Sequence, residues 1–166
     1  MKYLELEQMS GSLMAVVPHQ DDEVLLCGGV RYQAKKLGMD VKVVMVTNGD
    51  CDCKDYTKGE IRLQETVKGM EKLGILEEDI VFLGYADTGM PKEESFLMKL
   101  HAESDPERVF SSFSGERTYG LPEKPEYHME QYGEHAPYTR AMVKRDLAEV
   151  LLRYKPDHII TTSPED

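Results

Sequence analysis

The 166-residue sequence predicts an α/β fold, a parallel sheet with helices on both faces. Two observations carry that expectation. Short apolar runs alternate with stretches of helical spacing, in the order strand, helix, strand, helix, strand, insertion, helix, strand. The runs are apolar throughout, as strands covered on both faces are, and do not alternate with polar residues. The length allows one domain with a real core, and the 40% hydrophobic content is that of a globular chain. We expect residues 1–166 to form a single domain.

The elements follow in order. Residues 13–17 read as the first strand. Residues 23–37 have the spacing of a helix that Gly38 closes as a C-cap. Residues 41–46 are a second buried strand of mostly β-branched residues. Thr47-Asn48-Gly49-Asp50 is a turn, with Asn-Gly supplying the tight bend. Residues 59–73 are helical and end at Gly74, and residues 80–83 form a third strand followed by a loop over 84–90. Residues 91–138 are polar and rich in Gly, Pro, Tyr and His. An irregular stretch of that length is usually a functional insertion or disordered. Residues 139–154 return to helical spacing, with Met142, Leu147, Val150 and Leu151 on one face, and Lys155-Pro156 ends them. Residues 158–162 are a fourth strand, and residues 163–166 open a new loop.

Composition excludes several function classes. The net charge of −11 argues against a nucleic-acid partner and against an anionic membrane surface. The first twelve residues have neither the pattern of a signal peptide nor that of a membrane span. Three cysteines rule out a full disulfide framework and point to a reducing cytoplasm. There is no Gly-x-Gly-x-x-Gly after the first strand, no Walker lysine and no Gly-x-Ser-x-Gly elbow.

The chemistry concentrates in Pro18-His19-Gln20-Asp21-Asp22-Glu23, directly after the first strand. Open α/β sheets keep their ligand sites at such strand ends. Histidine and aspartate are good ligands for a divalent ion. A second acid beside the first can stay off the metal and act as a base. The plainer alternative is a solvated loop in which Asp21 or Asp22 caps the next helix. Gly28-Gly29 falls inside the expected helix, where two glycines cost about 1–2 kcal/mol relative to alanine, so close packing is expected there.

These residues resemble a known family. Val-Pro-His-Gln-Asp-Asp-Glu, with Gly28-Gly29 and later Val43-Val44-Met45-Val46-Thr47-Asn48-Gly49-Asp50, looks like the LmbE-like (PIG-L) family of zinc-dependent de-N-acetylases. Arg62-Leu63-Gln64-Glu65, Leu83-Gly84-Tyr85 with Asp87 and Gly89-Met90, and Asp146-Leu147 followed by Lys155-Pro156-Asp157 and Thr161-Thr162 match later parts in the right order. Gln20 stands where the family usually has proline.

The resemblance implies a Rossmann-like fold and a substrate that is a small N-acetylglucosamine-type conjugate. It implies Zn2+, or another divalent metal, held by His19 and Asp22. Asp21 would be the general base, and Arg62 and Asp87 would contact the sugar. Zinc would lower the pKa of its water to about 7 and polarise the amide carbonyl. The family's third ligand and oxyanion donor belong to a His-x-Asp-His motif expected beyond Asp166, so the last family elements are expected to be missing from this chain. A catalytically silent carbohydrate-binding domain on the same fold is the alternative. A homo-oligomer is compatible with either.

Other residues invite weaker expectations. His128 and His135, near Tyr127, Tyr132 and Tyr138, read first as exposed loop histidines, with the mouth of the site as the alternative they could reach. Tyr119, His128, Tyr138 and Arg140 are candidate substrate contacts. His158 begins a strand and is expected to pack or face solvent. Cys51-Asp52-Cys53 lacks the Cys-x-x-Cys spacing of zinc and redox sites, and Cys27 reads as a buried helix residue.

Overall fold

A computed structural model describes residues 6–51, 54–88 and 91–163. Cys53, Gly89, Met90 and residues 164–166, singled out above, lie outside the described residues. Four parallel strands form the sheet: β1 (Ser12–Val17), β2 (Asp40–Thr47), β3 (Ile80–Tyr85) and β4 (His158–Thr161). Their spatial order is β3-β2-β1-β4. β1 pairs with β2 from Ser12↔Asp40 to Val17↔Met45, and with β4 from Leu13↔His158 to Val16↔Thr161.

The continuous apolar runs are explained by layers on both faces. Leu13, Ala15 and Val17 of β1 point into one core with Val41, Val43 and Met45 of β2. That core is closed by Ala34 of α2 (Gly28–Lys36) and by Leu63 and Met70 of α3 (Thr57–Lys72). Met14 and Val44 face the opposite core. There they meet Phe96 and Leu100 of α4 (Phe96–Ala102), Tyr127 of α5 (Tyr127–Tyr132) and Val150 of α6 (Arg140–Tyr154). The α/β architecture expected from the alternation is therefore present, with helices on each face.

Two expectations need correction. The single helix over 23–37 is two helices, α1 (Asp22–Leu25) and α2, separated at Leu26 and Cys27. Gly28 and Gly29 thus sit in the first turn of α2 and not in a helix interior. A side chain at Gly29 would meet nothing within 4 Å, so close packing is not their reason. Cys27 is buried as expected, but it sits in the break as the residue that caps α2.

The stretch 91–138 is neither disordered nor a plain loop. It contains α4 and α5, and it buries Phe96, Leu100, Tyr119, Leu121, Tyr127, Ala136 and Tyr138. Its signal was hidden because α5 is only six residues long. Ser95 and Thr139 accept from the backbone N–H of Met98 (3.3 Å) and Met142 (3.1 Å) as N-caps. Gly38 and Gly74 follow α2 and α3 in the left-handed region, at φ 76° each.

The outer strand β4 is fastened to β1 at its start. Ser12 donates its N–H and its hydroxyl to Asp157 Oδ2 at 2.8 and 2.9 Å. The Ser12 N–H and then its hydroxyl hold the Asp157 carboxyl below the usual carboxylate range. A depressed folded-state pKa contributes stability that is present above the unfolded value and lost as pH falls through the folded one. The stability difference between wild type and Asp157→Asn, measured by urea denaturation, is therefore expected to be flat at neutral pH. It should shrink below about pH 4. A difference that is unchanged at pH 2 would refute the assignment.

Candidate metal centre

The strand order places the site. From β1 the chain moves outward through β2 to β3, then returns to the other side of β1 as β4. The crevice beyond the carboxyl ends of β1 and β4 is the point where the order reverses, the usual ligand position in open α/β sheets. Pro18 and His19 lie there, just past Val17. A cavity of about 400 Å3, within the range of small-molecule sites, opens over them. His19, Asp22, Asp87, Thr88, Lys92 and Thr162 line it.

Three of the expected site residues converge. His19 Nδ1 lies 3.2 Å from Asp21 Oδ1 and 3.1 Å from Asp22 Oδ2. Among the described residues this is the one cluster of three or more potential metal-ligating side chains. The Asp22 side chain is 17% exposed and that of Asp21 54%, so the two acids face different surroundings.

Asp21 occupies the N-cap position of α1, yet its carboxylate makes no cap bond to the helix. The capping alternative raised by the sequence is therefore not what the side chain does. Its backbone is at φ 97° and ψ −39°, a conformation that costs a residue with a Cβ about 1–3 kcal/mol. Strain of that kind persists where surrounding bonds fix it, and here they do.

Those bonds come from three directions. The Asp21 N–H donates to Glu23 Oε2 at 2.7 Å. Arg62, on α3, sends Nη2 to the Gln20 carbonyl (2.5 Å) and to Asp21 Oδ2 (3.3 Å), and Nη1 to the Gly49 carbonyl (2.8 Å). Gln20 is buried and its Nε2 donates to the Thr47 carbonyl at 3.3 Å, so this loop is tied to the end of β2 by a side chain. Gly49 allows the arrangement: its φ is 58°, and a Cβ there would collide with Gln20 Oε1 and the Arg62 guanidinium.

The donor set fits a divalent ion. His19 Nδ1 is buried and makes no hydrogen bond, an atom that needs a partner. Ligand atoms around a tetrahedral zinc stand about 3.3 Å apart, close to the spacing found here. One imidazole nitrogen with carboxylate oxygens suits zinc or ferrous iron better than calcium or copper(I).

The PIG-L family pattern, described as GlcNAc-PI de-N-acetylase, matches residues 14–166. The chain belongs to the PIG-L family. Searches of curated proteins and of solved structures found no match to it. In this PIG-L chain the matched segment includes all five residues expected at the site, with Asp87 on the cavity wall beside His19 and Asp22. Arg62 is not on that wall and reaches the site through Asp21.

The weaker candidates resolve differently. His128 is 4% exposed and bonds through Nδ1 to Asp146 Oδ1 at 2.8 Å. Tyr138 is fully buried, and Tyr119 donates its hydroxyl to Asp50 Oδ2 at 3.2 Å. Arg140 donates to the Ser104 carbonyl at 3.3 Å. None of these four lines the cavity over His19: Tyr119, His128 and Tyr138 belong to the insertion and Arg140 opens α6. His135 pairs with the buried Glu126 (3.0 Å), away from the cluster. His158 faces the Ser10 carbonyl (3.2 Å) at the amino end of β4, the wrong end of the sheet for the site. Cys51 belongs to no metal-ligating cluster among the described residues.

Asp50 is the residue that sequence reasoning missed. Only 2% exposed, it accepts from the Asp87 N–H (2.7 Å), Ser114 Oγ (2.7 Å) and Tyr119 Oη. Burial and then the Asp50 charge push the Tyr119 hydroxyl up, so it remains a donor. Asn48 adds a bond from Nδ2 to the Tyr119 carbonyl at 2.8 Å. One carboxylate thereby joins the loops after β2 and β3 to the insertion and sets the backbone of Asp87. An acid four residues past a strand's apolar run was the available signal.

Proposed function

We propose that this chain is a metal-dependent amidohydrolase that removes acetate from an N-acetylglucosamine-type conjugate. The observation that carries the reading is the buried His19 Nδ1 facing two carboxylates, with His19 and Asp22 lining a cavity at the sheet's switch point. The PIG-L membership supplies the acyl group and the amino sugar. His19 and Asp22 hold the ion. When bound, it supplies Lewis acidity to the amide carbonyl and to the attacking water. Asp21, the more exposed of the two acids, takes the proton from that water and hands it to the departing amine, so acetate and a free amine result. Arg62 holds the Asp21 carboxylate through Nη2 at 3.3 Å and aims it. Asp87, on the wall, accepts hydrogen bonds from the sugar hydroxyls.

Zinc titration beside the His19→Ala variant tests this. One-to-one uptake by the wild-type chain and at least a tenfold weaker affinity in the variant are expected. Equal, weak uptake by both proteins would overturn the metal reading and favour a silent carbohydrate-binding domain, which sugar binding without zinc would then reveal.

A further inference from the structure

We infer that Glu23 is a positioning residue for the cluster: its buried carboxylate holds the Asp21 N–H and so fixes the turn that aims Asp21 and Asp22 at His19. The inference rests on the reading of that cluster as the reaction centre.

Asp21 stands at φ 97°, where only glycine is at ease, so some bond must keep it there. Two side chains hydrogen-bond to it. Arg62 grips its carboxylate and the carbonyl before it. Glu23 grips its backbone, with Oε2 2.7 Å from the Asp21 nitrogen. The bond to its N–H, together with those on its carbonyl, decides where Cα and Cβ lie. It therefore decides the origin of the Asp21 side chain and the start of Asp22. Arg62, on a long flexible stem, acts only after that origin is set.

Glu23 is suited to a rigid grip. It is only 4% exposed. It belongs to the four-residue α1, whose brevity is itself a consequence of the break at Leu26 and Cys27. Arg31 of α2 is fully buried as well. Arg31 Nη1 donates to Met70 Sδ at 2.8 Å, while Nε and Nη2 have no hydrogen-bond partner among the described residues. Such a buried cation requires a compensating charge, and the charge of Glu23 acts on it. Two roles for Glu23 thus compete: holder of the Asp21 N–H, or mere counter-ion to Arg31. They predict different outcomes when both members are removed.

The experiment compares wild type, Glu23→Ala, Glu23→Gln and the double variant Glu23→Ala with Arg31→Met. Two quantities are read: hydrogen exchange of the Asp21 amide in metal-free protein, and affinity and visible absorption with cobalt(II). Glu23→Ala is expected to lose tenfold or more of the amide protection and of the cobalt affinity, with an altered cobalt spectrum. Glu23→Gln, which keeps an acceptor for the N–H, should recover most of both. The double variant should regain the thermal stability of wild type but neither its amide protection nor its cobalt affinity. Recovery of wild-type protection and spectrum in the double variant would overturn the inference, since Glu23 would then be a counter-ion alone. So would unchanged protection in a folded Glu23→Ala protein. A wild-type chain that takes up no cobalt would count against the metal reading, while the exchange data would still decide the placement of Asp21.

Discussion

Asp21→Asn is expected to lower kcat for acetate release by about 10^2–10^4-fold, the usual contribution of a positioned base. The substitution is nearly isosteric. Its amide oxygen can still accept from Arg62 Nη2, and its N–H can still donate to Glu23, so the turn should persist. Zinc affinity should change little, because His19 and Asp22 provide the assigned ligands. KM should hold within a few-fold, since Asp21 does not line the cavity. Asp22→Asn makes the necessary contrast: it should lose metal affinity and turnover together. Turnover of Asp21→Asn within about threefold of wild type, with metal bound, would remove Asp21 from the role of base.

The largest effect on stability is expected outside that cluster. Asp146, fully buried on α6, accepts from Tyr85 Oη at 2.8 Å through one oxygen and pairs with His128 Nδ1 at 2.8 Å through the other. It thus joins α6 to β3 and α5. Burial, with the Asp146 charge next, pushes the Tyr85 hydroxyl up, so Tyr85 remains a donor at any ordinary pH. Asp146→Ala strands both partners in a dry interior. Removing one member of a buried ionic or hydrogen-bonded group costs about 3–5 kcal/mol, and urea denaturation should read a loss of that size. Asp146→Asn keeps an acceptor for Tyr85 and should cost less than half as much. A loss under 1 kcal/mol for the alanine variant would mean that water replaces the carboxylate and that the network is not a brace.

Both predictions bear on how much of this molecule was legible in its sequence. Asp21 was legible because its neighbours in the chain are its neighbours in space: His19, Asp21 and Asp22 fall within four residues, and the strand before them announces itself by composition. The core strands and the long helices α3 and α6 were legible for the same reason, since periodicity is a local property. Asp146 was readable only as a helical residue, because Tyr85 lies 61 residues away and leaves no trace in the local pattern. Asp50 was hidden similarly, with Ser114 and Tyr119 at separations of 64 and 69 residues.

The insertion misled in a different way. Its tyrosines and histidines were read as groups for a ligand, whereas Tyr138 and His128 are buried against the protein itself. Aromatic residues with one polar atom serve either purpose, and only the fold decides. The break between α1 and α2 was missed because Leu25 and Leu26 continue an apolar pattern, although both are exposed.

The pairing of β4 with β1 has a kinetic consequence. Ser12 and Asp157 are 145 residues apart in sequence, yet they close the sheet at the amino ends of β1 and β4, opposite the crevice. Contacts between β1 and β2, much nearer along the chain, cost less loop entropy and are expected to form first. A nascent chain would therefore carry a folded three-stranded platform with a half-built crevice until its residues near 158 become available. The crevice over His19 would gain its Thr162 wall only after that docking step.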